Sequence, residues 1–242
     1  MKDLYTACRA LYATAFPEEE SSFADALFAR YFPRCLRVMG AGSRVVSMLF
    51  SIPYPIQTEN GVQEARYIYA VATAPDYRGQ GLATRLLRAE IARGKPVFLR
   101  PSAPSLFKFY EKAGFTPFSP VRTVEGEAVG EAALLPLTAA EYLARRATLL
   151  EKPFAAPTDD FLSLIFADAK AVATPDGCLA LFEQKGDTVH FKEFFGSPDL
   201  APRLAASLGA KHYICRTYDA GGTPFAVGAH LPEDVKFLLA LD

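Results

Sequence analysis

Val71-Ala72-Thr73-Ala74-Pro75-Asp76-Tyr77-Arg78-Gly79-Gln80-Gly81-Leu82-Ala83-Thr84 decides how this chain folds. It runs from strand to turn to helix. Ala65–Thr73 is rich in Tyr and Val, which suits a pleated strand. Pro75, Gly79 and Gly81 then break the regular pattern. From Leu82 to about Arg93 apolar residues stand at 82, 83, 86, 87 and 91, a helical period, and Gly94 is the stop signal. Glycine opens backbone conformations closed to residues with a Cβ and lets a ligand come close. The free N–H groups of the helix start, together with the helix dipole, make the turn an anion site, and Arg78 can add a charge.

Two common phosphate-binding patterns fit poorly. A Walker loop needs G-x-x-x-x-G-K-[ST], which is absent. A dinucleotide fingerprint needs a third glycine where Thr84 stands, and an acidic residue at the end of the next strand, which ends near Arg100.

Upstream, Leu4–Phe16 has apolar positions at 4, 8, 11, 12 and 16, and Phe23–Phe32 repeats the helical period until Pro33. The acidic run Glu18–Glu20 between them reads as a solvated loop. Cys35–Met39 and Val45–Ile52 read as strands joined through Gly40-Ala41-Gly42-Ser43, so the first 75 residues predict two helices and a three-strand meander. Downstream, Pro96–Arg100 is a short strand, Leu106–Ala113 a helix stopped by Gly114, and strand follows through Phe118 and Ala132–Leu137.

The glycine turn has a family likeness. Arg78-Gly79-Gln80-Gly81-Leu82-Ala83 resembles the R/Q-x-x-G-x-G/A signature of the GNAT superfamily of acyl-CoA N-acyltransferases, with Ala83 in the last position. Ser105-Leu106-Phe107-Lys108-Phe109-Tyr110-Glu111-Lys112-Ala113-Gly114-Phe115 is similar to the GNAT segment in which a helix carrying F-Y-x-x-x-G-F leads into the next strand. Within the superfamily the chain most resembles the enhanced-intracellular-survival type, which has further domains after the GNAT domain. The resemblance covers about residues 1–137. It implies an α/β fold with a mixed, mostly antiparallel central sheet and flanking helices.

It also implies roles. Val71, Ala72 and Thr73 would offer backbone groups to the pantetheine arm of acetyl-CoA, the co-substrate. Arg78, Gly79, Gln80, Gly81, Leu82, Ala83 and Thr84 would hold the pyrophosphate, Ser105 and Leu106 would lie near the pantetheine or the thioester, and Tyr110 would protonate the leaving thiolate. The chemistry agrees: direct attack by an amine needs positioning, a polarised carbonyl and a proton donor, but no enzyme nucleophile. A tyrosine of pKa about 10 can protonate a thiolate whose thiol has a pKa of about 8–9. No base for the amine stands out; Glu64, Tyr67 and Tyr69 lie on or before the right strand, and water could relay the proton.

A second boundary falls near Leu137–Thr138. Thr138-Ala139-Ala140-Glu141 is a capping box that opens a helix to about Leu150. Beyond it come a helix over Asp160–Ala167, a strand pair Cys178–Gln184 and Thr188–Phe195 across Lys185-Gly186-Asp187, a helix over Leu200–Leu208, and strands at His212–Tyr218 and Phe225–His230. Strand pair, helix, strand thus occurs in both halves. Residues 138–242 read as a smaller α+β domain, and a degenerate GNAT-like repeat fits that order. At the place matching the pyrophosphate turn, Gly196-Ser197-Pro198-Asp199-Leu200-Ala201-Pro202-Arg203 has one glycine and two prolines without N–H donors, so no second CoA site is expected.

Composition sets the outer limits. The 242 residues are 50% apolar and 22% charged, which excludes a mostly disordered chain. A net charge of −1 gives no electrostatic case for nucleic acid or an anionic membrane, and no apolar run reaches the ~18 residues of a membrane span. The first 16 residues have no secretion-signal pattern, so a cytoplasmic protein is expected. Cys8, Cys35, Cys178 and Cys215 read as reduced core thiols, and His190, His212 and His230 are not at metal-ligand spacing, so no metal is expected. Residues 1–137 carry 16 basic and 13 acidic residues, residues 138–242 carry 10 and 14. That asymmetry suits an anionic co-substrate held by the first half and a cationic acceptor beside the second. The resulting expectation is an N-acyltransferase that moves an acetyl or other short acyl group from acyl-CoA to a small-molecule or peptide primary amine, with a homodimer open on the family resemblance. The alternative is an acyl-CoA-binding sensor without turnover, which would have no need of a proton donor at Tyr110.

Overall fold

The computed structural model describes residues 2–42 and 44–241; Ser43 of the expected Gly40–Ser43 connection lies outside the described residues. The helices are α1 (Lys2–Ala15), α2 (Ser21–Tyr31), α3 (Leu82–Ile91), α4 (Phe107–Ala113), α5 (Ala139–Leu149), α6 (Asp159–Ile165) and α7 (Ala201–Ser207). The strands of the first half are β1 (Leu36–Ala41), β2 (Arg44–Pro53), β3 (Ile56–Thr58), β4 (Gly61–Gln63), β5 (Arg66–Thr73), β6 (Val97–Leu99), β7 (Thr116–Glu127) and β8 (Leu135–Leu137). Those of the second half are β9 (Phe154–Ala155), β10 (Lys170–Ala173), β11 (Leu179–Lys185), β12 (Thr188–Phe195), β13 (His212–Tyr218) and β14 (Thr223–Ala229).

Most strands join one eleven-stranded sheet in the order β1-β2-β5-β6-β14-β7-β13-β12-β11-β10-β8. Pairing is antiparallel except between β5 and β6 and between β12 and β13. The expected meander of three strands is therefore β1-β2-β5. The structure adds a small sheet, β4-β3-β9, that the sequence reading does not contain.

Alternation along the strands divides the core. Met48, Phe50 and Tyr67 pack with Cys8, Leu11 and Tyr12 of α1 and Leu27, Phe28 and Tyr31 of α2. Their neighbours Leu49 and Ile68 pack with Leu86 and Leu87 of α3 and Tyr110 and Ala113 of α4. Successive side chains on a strand point to opposite faces, so helices cover both faces here.

The two halves are interlocked. β14, from the second half, lies between β6 and β7 of the first; β7 in turn pairs with β13. β8, which directly precedes the expected 137/138 boundary, pairs with β10. Residues 235–241 run through the centre. The ring of Phe237 lies 4.9 Å from that of Phe98 and 5.7 Å from that of Tyr67. The Ser119 hydroxyl donates to the Phe237 carbonyl at 2.7 Å and accepts from its N–H at 2.9 Å.

The helix starts follow local chemistry. Thr138 caps α5 by accepting from the Glu141 N–H, and the Glu141 carboxylate accepts from the Thr138 N–H at 2.8 Å, the expected capping box. All four cysteines are free and buried. Burial pushes the Cys8 thiol up to about 11 and those of Cys178 and Cys215 up to about 12, so all three stay protonated at neutral pH. Among the described residues no helix is long and apolar enough to cross a membrane.

Candidate active site

β5 and β6 run side by side for a short distance only. Arg66 pairs with Val97 and Tyr67 with Phe98; from Ile68 onward the β5 edge that faces β6 has no partner strand among the described residues. The register of β5 on β2 also slips between Met48 and Phe50, where Ala70 takes a positive φ of 52°. Such a bulge re-aims the strand. The result is an open main-chain edge over Val71–Thr73, of the kind an extended ligand can join as an added strand. The Ser47 hydroxyl fixes its far end by donating to the Ala72 carbonyl at 3.0 Å and meeting the Thr73 hydroxyl at 3.0 Å.

The chain then turns through Pro75–Tyr77 into α3. Gly79 has a φ of 75° and Gly81 a φ of 72°, the left-handed region that disfavours a Cβ. A Cβ at either would touch nothing within 4 Å, so conformation sets the need for glycine. The helical ladder starts with the Arg85 N–H on the Gly81 carbonyl, which leaves the N–H groups of Leu82, Ala83 and Thr84 as the helix's unpaired donors. Arg78 folds back to donate to the Thr73 carbonyl at 3.2 Å, tying turn to strand.

α3 is held in place from its far end. Glu90 is buried; it accepts from the Ser51 hydroxyl at 2.6 Å and from Arg37 at 2.7 Å. α4 brings Tyr110 to the opening between β5 and β6. Its ring packs edge-on against Phe109 and Phe115, at 5.0 and 6.2 Å between centroids. Burial pushes its hydroxyl up to about 12, so it stays protonated at neutral pH.

These parts enclose a cleft of about 520 Å³. Every residue expected at the site lines it except two. The Gln80 side chain turns away and donates to the Asp76 carbonyl at 3.3 Å. Ser105 is exposed in the short 3-10 turn Pro104–Leu106, and its side chain does not cap α4. The lining also includes Ala15, Phe16, Tyr77 and Phe109. Val71, Leu106 and Tyr110 are shared with a second cavity of about 460 Å³, which reaches Glu19, Tyr69, Arg100 and Leu241. Glu19, Tyr69 and Leu241 are shared in turn with a third, of about 470 Å³, lined by Glu18, Glu20, Asp168, Glu183 and Lys192 among others. The three cavities thus adjoin along one path from the glycine turn to the second half.

The base candidates separate clearly. Glu64 is exposed and bound by Lys95 at 2.5 Å and Arg66 at 3.2 Å, away from these cavities. Tyr67 is a core ring. Tyr69 faces the second cavity, and its hydroxyl donates to Glu19 at 2.8 Å. Glu19, read from sequence as part of a solvated loop, is half-buried and lines the second cavity.

A parted parallel strand pair, a glycine turn at a helix start and a tyrosine in the gap are the parts that the sequence resemblance to GNAT acyltransferases implies. Residues 2–118 match the family model described as an acetyltransferase (GNAT) domain. No curated protein matches it in sequence. A conserved protein of unknown function from Enterococcus faecalis V583, titled a probable N-acyltransferase, shares the fold at a TM-score of 0.70 and 13% identity, over 94% of this chain and 70% of its own. A GCN5-related N-acetyltransferase from Kribbella flavida superposes at 0.65 with 15% identity, over 94% and 68%. Eis1 from Mycobacterium abscessus superposes at 0.56 with 14% identity, over 89% and 62%.

Proposed function

We propose that this chain is a cytoplasmic N-acetyltransferase that moves an acetyl group from acetyl-CoA to a primary amine by direct attack. The observation that carries this reading is the convergence, on one cleft, of the open β5 edge, the Gly79/Gly81 turn before α3, and Tyr110. Backbone groups of Val71–Thr73 align the pantetheine arm, and the N–H groups at the start of α3 hold the pyrophosphate. A main-chain N–H beside the β5 bulge polarises the thioester carbonyl. Tyr110 gives its proton to the departing thiolate. Two-sided positioning lets the amine act as the only nucleophile.

The second half then serves as a degenerate GNAT-like partner without a CoA site of its own. Its strand β12 carries a bulge against β11 and runs parallel to β13, as β5 does against β2 and β6. The helix that follows β12, however, starts with Pro198 and Pro202 in its first turns, which remove N–H donors.

The test is a thiol-release assay with acetyl-CoA over a panel of primary amines covering alkyl amines, amino acids and peptides. Release of CoA thiol matched by acetylated amine is expected. A folded protein that binds CoA and acetylates no amine would overturn the assignment.

A further inference from the structure

We propose that Glu19, held by the hydroxyls of Tyr69 and Tyr12, is the general base that takes the proton from the acceptor amine; this rests on the acyl-transfer reading above. Glu19 sits in the turn between α1 and α2 and lines the second cavity, the one that Tyr110 also lines. Among the described residues lining that cavity it is the only carboxylate. The proton donor for the thiolate and a proton acceptor for the amine therefore border one space.

Its surroundings suit the task. Tyr69 donates to Oε1 at 2.8 Å, and Tyr12 donates to Oε2. Each oxygen keeps a free lone pair, because an ionised carboxylate has about four acceptor sites. Burial is the largest cause that holds both tyrosines above their ordinary ionisation range, so both remain donors. Tyr69 stands at the β5 bulge, where the strand leaves its regular register, and so fixes the carboxylate against the part of the strand nearest the reacting carbonyl. On its other side Glu19 borders the third cavity, where Glu18, Glu20 and Asp168 face the same opening and Glu183 is paired with Lys185 and Lys192, which leaves an acidic excess. An alkyl amine reaches the site as an ammonium ion, since its pKa lies near 10. That acidic approach favours the charged form up to the point where Glu19 removes the proton.

The step balances. The ammonium gives one proton to Glu19, and the freed lone pair forms the C–N bond as the C–S bond breaks. The thiolate takes the Tyr110 proton. The second proton lost by nitrogen passes through water to the Tyr110 oxygen, and Glu19 returns its proton to solvent. The net result is an amide, a thiol and one released proton.

The experiment uses the intact chain, acetyl-CoA and whichever alkyl amine of the panel the unaltered protein acetylates fastest. Glu19→Gln keeps the size of the side chain and an acceptor oxygen. It is expected to lower kcat about 100-fold, within the 10²–10⁴ range of general-base catalysis, while acetyl-CoA affinity stays within about twofold. Glu19→Ala is expected to regain part of its rate when sodium formate supplies an external carboxylate. A Glu19→Gln protein within about threefold of the unaltered rate would overturn the proposal. So would a loss of acetyl-CoA affinity equal to the loss of rate, or a Glu19→Ala protein indifferent to formate. If the unaltered chain acetylates no amine at all, it is the acyl-transfer reading that fails, and this assignment with it.

Discussion

Gly81 shows how one residue serves both fold and site. It is the N-cap of α3 at φ 72° and ψ 14°, so the direction of the helix start depends on a conformation that costs other residues about 1–2 kcal/mol. Gly81→Ala is expected to lower stability by about that much and to weaken CoA binding about tenfold, because the N–H groups of Leu82–Thr84 shift with it. Thermal melts and CoA titration check both effects; a variant with unchanged melting and affinity would show that the conformation is not required. The need for glycine at 79 and 81 is legible in the sequence, since two glycines between a strand and a helix mark a backbone that must turn where a Cβ is disfavoured. Glu19 is not legible. An acidic run after Pro17 carries no mark that separates a solvated carboxylate from one received by two tyrosines that lie 7 and 50 positions away. Ser105, placed before a helix, lies exposed in the 3-10 turn, and its side chain does not cap α4.

At the scale of elements, periodicity finds the long amphipathic helices and the principal strands, because one buried face imposes a period that survives in the sequence. It does not find β3, β4 and β9, each two or three residues long and set among prolines and exposed positions. Nor can it show that Ala132–Leu137 ends in β8, which pairs with β10 instead of with a strand of its own half. One element is anchored by charge. Arg146 of α5 meets Glu193 of β12 through two contacts, at 2.6 and 2.8 Å, and Tyr142 of α5 donates to the same carboxylate at 2.6 Å. All three side chains are buried, Glu193 completely. Removing one partner leaves a buried charge without compensation, which costs about 3–5 kcal/mol. Arg146→Leu is therefore expected to lose about that much in urea unfolding, and Arg146→Leu with Glu193→Leu to regain most of it. A single variant as stable as the parent would contradict this account of α5.

At the scale of the molecule, the repeat of strand pair, helix and strand in both halves is readable, whereas the exchange of strands between the halves is not. Pairing between strands so far apart in sequence leaves no local pattern, and β14 looks the same whether it closes its own half or inserts between β6 and β7. The exchange has a consequence for stability. A fragment of residues 1–137 lacks β14 and β13, so β6 and β7 present open edges, and it lacks Phe237, which packs on Phe98. We expect this fragment to aggregate or to melt without cooperativity; a monomeric fragment with a cooperative melt that CoA raises would contradict the interlocked description. The same arrangement sets Glu18–Glu20 of the first half opposite Asp168 and Glu183 of the second, so the approach to the site belongs to the whole chain. We propose that this intact chain transfers an acetyl group in the cleft that Tyr110 borders, with Tyr110 as the acid. The most direct measurement compares the parent with Tyr110→Phe for acetylation of the accepted amine and for CoA affinity. A kcat lowered by about 10²–10⁴-fold with CoA affinity nearly unchanged is expected. A Tyr110→Phe protein that keeps the parent's rate, or that loses affinity in step with rate, would contradict it.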